Sequence, residues 1–162
     1  MTPEVITHEN PISSYEAERG KPMPSLNHSG IQSTLTGLLW VNYRTEYSIF
    51  PELSIKLNGE SFTPDISIYP KRKLNWQQDA RSLAEAPLTT VEILSPSQAI
   101  DTFQTKFAAY FAAGVKSCWL VQPFVETIFI FTPDGKIAVF HEGTLTDPAN
   151  GITLDIGEIF AE

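Results

Sequence analysis

At 162 residues with 42% hydrophobic side chains, the chain is long and apolar enough to bury a core, which excludes global disorder. Nineteen Asp and Glu against eleven Lys and Arg leave a net charge of -8, which excludes a broad basic surface for nucleic acid. It does not exclude a local site where bound cations bring phosphate beside carboxylates.

A single cysteine, Cys118, rules out an internal disulfide, and three scattered histidines (His8, His28, His141) make no zinc site. No apolar run approaches the ~18 residues of a membrane span. The start Met1-Thr2-Pro3-Glu4-Val5 lacks the basic-then-apolar pattern of a signal peptide, so the expectation is one cytoplasmic domain over residues 1–162 with no membrane contact.

Residues 1–24 read as a polar extension punctuated by Pro3, Pro11, Pro22 and Pro24, with room for two helical turns from Ser13 to Arg19 before Gly20. Ser25 or Asn27 then caps a predicted helix from His28 to Asn42. Its Ile31, Leu35, Leu38 and Leu39 recur at helical spacing and form one packing face. His28, in the first turn, reads as a cap or surface residue.

Beyond Asn42 the period changes to two. Glu52 to Leu57 alternates, Asn58-Gly59 follows, and Phe62 to Tyr69 forms the next run. Asn-Gly between such runs predicts a type I′ hairpin. With Asn58 and Gly59 as the loop, Leu57 faces Glu60, Ile55 faces Phe62, Leu53 faces Pro64 and Glu52 faces Asp65. Two carboxylates so placed, with Cβ atoms about 5 Å apart, repel each other. A cation between them or a shared proton removes that penalty. A frayed hairpin end that solvates both acids, or a three-residue loop that shifts the register, removes it differently. Asp65 in its apolar and hydroxyl-bearing strand is in any case costly to bury alone.

From Pro70 to Pro87 the chain is polar and aperiodic, a predicted surface loop. It opens on the positive cluster Lys71-Arg72-Lys73, which directly follows the Asp65 strand and is a candidate to meet phosphate. Leu88 to Leu94 is short and β-rich with one charge, Glu92, the pattern of a central strand covered on both faces. Ser95-Pro96-Ser97 breaks it. A predicted helix from Gln98 to Ala113 follows, with Ile100, Phe103, Phe107, Tyr110 and Phe111 inward, Lys106 on its flank and Gly114 as its stop. Ser117 to Val121 is a second buried strand, so a right-handed parallel crossover joins the two, with Cys118 in the core. Thr127 to Thr132 and Ile137 to His141 flank Pro133-Asp134-Gly135-Lys136 as a hairpin. Ile152 to Ile156 adds an edge strand, and Ile159 and Phe160 dock the C-terminus. The sum is an α/β (α+β) fold: a central mixed β-sheet flanked by helices, with a C-terminal β-hairpin.

No Gly-x-Ser-x-Gly elbow, phosphate-binding glycine loop or His-Glu-x-x-His is present. What remains is a set of carboxylates on strands, Asp65, Glu92 and Glu52, with Lys106 on the helix that follows. Oxygen ligands of this kind suit Mg²⁺ or Mn²⁺. Such an ion activates water and stabilises in-line displacement at phosphorus, while a nearby lysine orients that water or offsets charge.

Pro64-Asp65, followed at a distance by Glu92, resembles the PD-(D/E)XK arrangement of restriction endonucleases. More closely, the chain resembles the Uma-two family of restriction-endonuclease-like proteins. The resemblance runs through Met23-Pro24-Ser25, His28, Glu52, Thr63-Pro64-Asp65-Ile66-Ser67 and Val91-Glu92-Ile93-Leu94-Ser95-Pro96-Ser97. It continues through Lys106, Tyr110, Gly114-Val115 and Trp119-Leu120-Val121-Gln122-Pro123. It implies a restriction-endonuclease-like core, Mg²⁺ or Mn²⁺ on Asp65, Glu92 and the backbone carbonyl of Ile93, DNA as substrate, and a homodimer. It also implies Asp65, Glu92, Lys106 and Glu52 as the catalytic set. One position departs: the usual lysine two residues after the glutamate is Leu94 here, and the resemblance passes its role to Lys106.

Three readings stand. The first is a Mg²⁺-dependent endodeoxyribonuclease. The second is a nuclease-fold protein without cleavage, acting as a dimeric binding or interaction module. The third is a structural ion pair between these carboxylates and Lys106. The net charge and Leu94 favour the second. Charged side chains where core packing prefers apolar ones favour the first.

Overall fold

The computed structural model describes residues 14–161, so Pro3, His8, Pro11 and Ser13 lie outside the described residues. Helix α1 (Ser14–Arg19) stops at Gly20, whose φ of 67° suits a residue without a β-carbon. Helix α2 (Leu26–Tyr43) begins two residues earlier than the sequence pattern suggests. Ser25 is its cap, and the Ser25 hydroxyl accepts from the His28 N–H at 3.2 Å. Leu35 and Leu39 are fully buried, with Ile31 and Leu38 packed beside them.

The hairpin register holds, but the chain around it bends into two sheets. Four strands replace the two runs expected: β1 (Tyr47–Pro51), β2 (Ser54–Leu57), β3 (Glu60–Phe62) and β4 (Ile66–Pro70). Leu57 faces Glu60 and Ile55 faces Phe62 around Asn58-Gly59. Further out, Pro51 faces Ile66 and Tyr47 faces Pro70, which continues the same register. β2 and β3 join β5 (Ser82–Leu83) in a three-stranded sheet, whereas β1 and β4 belong to a six-stranded one. Residues 52–53 and 63–65 form the corner between them. There Glu52 takes a φ of 55° and its N–H donates to the Asp65 carbonyl at 3.1 Å. Asp65 is therefore at a corner and not within a continuous strand from Phe62 to Tyr69. Pro64, with no N–H to give to a ladder, suits that break.

Strand β6 (Thr89–Ile93) is buried at every residue, as its composition implies. It pairs antiparallel with β4 and parallel with β7 (Ser117–Gln122), and helix α3 (Thr102–Ala112) makes the crossover. α3 starts four residues later than expected, because its N-cap, Asp101, makes no side-chain bond to the helix and the preceding residues run through turns. Ile100 is consequently 53% exposed, not inward. Strands β8 (Thr127–Phe131) and β9 (Ile137–Phe140) complete the order β1-β4-β6-β7-β8-β9, in which only β6 and β7 are parallel.

Strands β10 (Thr144–Thr146) and β11 (Thr153–Asp155) pair only with each other. The C-terminal segment is thus a separate two-stranded ribbon, not an edge strand of the main sheet, and α4 (Ile156–Ile159) follows it. α2, the ribbon and α4 cover one face of the six-stranded sheet, over Ile66, Val91, Trp119 and Ile128. α3 and the three-stranded sheet cover the other, over Tyr69, Cys118 and Leu120. This is a mixed sheet with helices on both faces, the class the sequence predicts. Among the described residues no helix is long and apolar enough to cross a membrane.

One buried carboxylate pins the ribbon. Asp147 accepts hydrogen bonds from Ser117 Oγ and Trp119 Nε1 at 2.6 Å each, Asn150 Nδ2 at 3.1 Å and the Ala149 N–H at 2.8 Å. Four donors satisfy the charge where no water reaches it. Asp147→Ala leaves those donors unpaired and is expected to cost about 3 kcal/mol of stability. Urea unfolding measures this directly, and an unchanged midpoint rejects the pinning role.

Candidate functional site

Asp65 is the hub of a cluster at the corner between the two sheets. Its carboxylate is 1% exposed and fully engaged. Oδ1 accepts from Lys21 Nζ at 2.6 Å and lies 3.1 Å from His28 Nε2 and 3.4 Å from Arg19 Nη2. Oδ2 accepts from the Ile93 N–H at 2.7 Å. The conflict expected between Glu52 and Asp65 is resolved by a cation, since Arg19 Nη2 also binds Glu52 Oε1 at 2.6 Å. Gln32 Nε2 closes the corner, donating to Glu52 Oε1 and to the Asp65 carbonyl at 3.0 Å each.

Glu92 lies on the far side of Asp65. Val91 and Ile93 belong to the core under α2, so strand alternation turns Glu92 toward α3. There Tyr110 Oη donates to Glu92 Oε1 at 2.7 Å, and Lys106 Nζ stands 3.6 Å from the same oxygen. Lys21 Nζ is 3.9 Å from Glu92 Oε2, which makes it the cation in contact with both buried acids. Three carboxylates (Glu52, Asp65, Glu92) thus meet three cations (Arg19, Lys21, Lys106), with His28 beside them.

The two buried acids are pushed in opposite directions. Burial drives the Asp65 carboxyl up, but the His28 hydrogen bond and the Lys21 charge outweigh it and hold Asp65 down at about 2. Burial drives Glu92 up as well, and there the neighbouring lysines do not compensate while the Asp65 charge adds to the rise. Asp65 is the fixed anion and Glu92 the acid more easily protonated. Tyr110, raised well above its ordinary range by burial and by Glu92, stays a hydroxyl donor.

Asp65, Glu92, Lys106 and Glu52, the four side chains singled out from the sequence, all come together here. Ile93 reaches Asp65 through its N–H. His28 does not behave as a cap or surface residue. It is 3% exposed and points at Asp65, because the helix starts earlier and Ser25 takes the capping role. The cluster Lys71-Arg72-Lys73 does not join the site. It follows β4 while Asp65 precedes it, about 20 Å away along the strand. Arg72 instead stacks over Tyr69 and pairs with Glu85.

Arg19, Lys21 and Gln32 are not among the residues that sequence reasoning singles out. The sequence does carry a signal for part of this: His28, Gln32, Leu35 and Leu39 follow helical spacing along one stripe, so the packing face of α2 begins with two polar residues. Arg19-Gly20-Lys21 likewise places two cations on either side of a turn residue.

Oxygen donors such as Asp65 and Glu92 are of the kind Mg²⁺ or Mn²⁺ accepts, and Mg²⁺ needs only one or two carboxylates because it keeps several waters. No set of three or more His, Cys, Asp or Glu among the described residues is arranged around a metal position. Arg19 Nε and Nη1 and His28 Nδ1 are buried with no hydrogen-bond partner among the described residues, so the cluster retains unused polar nitrogens.

The sequence pattern of the Uma2 family, described as "Putative restriction endonuclease", matches residues 8–156. The chain belongs to this family. A crystal structure described as "a putative nuclease belonging to DUF820" from Anabaena variabilis is 28% identical in sequence. The likeness covers 86% of this Uma2 chain and 83% of that one, with a TM-score of 0.73. No curated protein matches the chain.

The depressed Asp65 carboxyl links the cluster to acid stability. A carboxylate held below its ordinary 3.8 contributes stability that is complete above that value and is lost as pH falls toward about 2. Glu92, raised, works in the opposite sense: its contribution is complete at low pH and lost as pH rises through its folded value. Asp65→Asn is therefore expected to flatten the acid limb of the stability curve in the window between 3.8 and about 2. Thermal melts across that range test it, and an acid limb as steep as wild type contradicts the linkage.

Proposed function

We propose that this Uma2 chain is a Mg²⁺- or Mn²⁺-dependent endonuclease that hydrolyses phosphodiester bonds in DNA, as a homodimer of single-domain subunits. The observation that carries the reading is the meeting of Asp65, Glu92 and Lys106, from a corner, a buried strand and a helix, in a chain of this family. The homodimer and the DNA substrate follow from the family resemblance alone.

Asp65 and Glu92, with the Ile93 backbone carbonyl, would hold the ion. Bound there, it supplies a water activated at neutral pH and charge compensation at phosphorus. Asp65 is kept ionised by His28 and Lys21, so it carries the charge that attracts a cation throughout the neutral range. Tyr110 fixes one oxygen of Glu92 and leaves the other turned toward Asp65's partner Lys21. Lys106 has 23% of its side chain exposed, against 5% for Lys21 and 6% for Arg19, which supports it as the cation that meets phosphate or orients water. Leu94, where the usual lysine would stand, is buried in the core beside Phe103 and Phe107, consistent with that transfer of role. Glu52 acts through Arg19, as a positioning residue.

A second reading, a nuclease fold that binds without cutting, draws support from the ammonium already between the two buried acids. Incubation of supercoiled plasmid with Mg²⁺ or Mn²⁺ separates the two. Wild type is expected to nick it, with Asp65→Asn, Glu92→Gln and Lys106→Met each slower by about 10²-fold or more. Wild-type nicking no faster than that of Asp65→Asn would sink the enzyme reading for DNA of that form.

A further inference from the structure

We propose that Lys21 is an internal counter-ion standing in the metal position, so that its ammonium and a divalent cation compete for Asp65 and Glu92. This rests on the reading that these two carboxylates hold the metal, and it adds a residue and a mode of control to that site.

The geometry singles Lys21 out. Its Nζ is 2.6 Å from Asp65 Oδ1 and 3.9 Å from Glu92 Oε2, and its side chain is 5% exposed. Arg19 reaches Asp65 and Glu52, and Lys106 reaches Glu92. Lys21 alone among the three touches both buried acids. Two carboxylates this close repel when both are ionised, and a cation between them offsets that repulsion.

Charge balance points the same way. With all three carboxylates ionised, the charges of Arg19, Lys21 and Lys106 balance them before any metal enters. Adding a divalent ion with Lys21 in place gives two buried positive charges in excess; exchanging Lys21 for it leaves one. Lys21 is also carried by a part of the chain that can yield. It lies between α1 and α2, outside every strand ladder, with the positive-φ Gly20 before it and Pro22 after it. Moving its side chain breaks no sheet hydrogen bond. The other ligands rest on the corner and on β6, which the sheets hold on both sides.

In this arrangement the apparent metal affinity is the intrinsic affinity reduced by the fraction of molecules in which Lys21 has left. The test measures Mn²⁺ binding to the full chain, by calorimetry and by the electron paramagnetic resonance signal of free Mn²⁺, for wild type, Lys21→Met and Lys106→Met. Lys21→Met is expected to bind Mn²⁺ about tenfold or more tightly than wild type, with Lys106→Met within about threefold of wild type. A matching pattern is expected in thermal melts, where Mn²⁺ stabilises Lys21→Met more than wild type.

Equal or weaker binding by Lys21→Met overturns the proposal. So does an equal gain in Lys106→Met, which would mean that removing any nearby positive charge is enough. Should Lys21→Met fold only with Mn²⁺ present, that requirement itself supports the exchange, and Lys21→Gln, shorter and neutral but polar, gives the affinity. Plasmid nicking stands apart from these results. Nicking with unchanged Mn²⁺ affinity in Lys21→Met removes only the counter-ion role, and tighter Mn²⁺ binding without nicking removes only the nuclease.

Discussion

A carboxylate taken out of water costs several kcal/mol unless charge and hydrogen bonds replace its hydration. Asp65 is such a group, and much of the chain is arranged to satisfy it. α1 and the turn after it deliver Arg19 and Lys21, α2 delivers His28 and Gln32 on successive turns of one face, and β6 delivers the Ile93 N–H. The corner that sets β1 and β4 in one sheet and β2 and β3 in another is what frees Asp65 from the alternation of a strand. Without the bend, its side chain would lie on a sheet face across from Glu52; at the corner the Arg19 guanidinium joins the two acids.

Glu92 illustrates how little sequence distance separates fold from chemistry. It lies in the most deeply buried strand, between two residues that make core contacts, and only its alternation toward α3 brings it to Tyr110 and Lys106. Its raised proton affinity beside the depressed one of Asp65 gives two acids of different character within one cluster. Such a divergence is typical of sites that handle charge.

The parts of this arrangement that can be read from the sequence are those governed by local rules. Asn58-Gly59 fixes a two-residue turn, and the turn fixes the facing of Glu52 and Asp65, so the pairing of the corner acids is legible in the order of residues alone. The unbroken β-rich run around Glu92 likewise reveals a central strand. What stays hidden depends on long-range meetings. Lys21 and Asp65 are 44 residues apart, and nothing near either one signals the other. The basic cluster at residues 71–73 misleads for the converse reason: nearness in sequence becomes the full length of a strand in space. His28 misleads because a histidine beside a capping serine resembles an N-terminal surface residue until the helix start is known to the residue.

The same separations bear on the order in which the cluster assembles. The hairpin closes around two residues, while Arg19 and Lys21 reach their acids only by closing loops of 33 and 44 residues. Loop-closure entropy makes bringing Glu52 and Asp65 face to face less costly than bringing their counter-ions to them. The acidic corner is thus the entropically cheaper part of the cluster to form, and its neutralisation by Arg19 and Lys21 the costlier part.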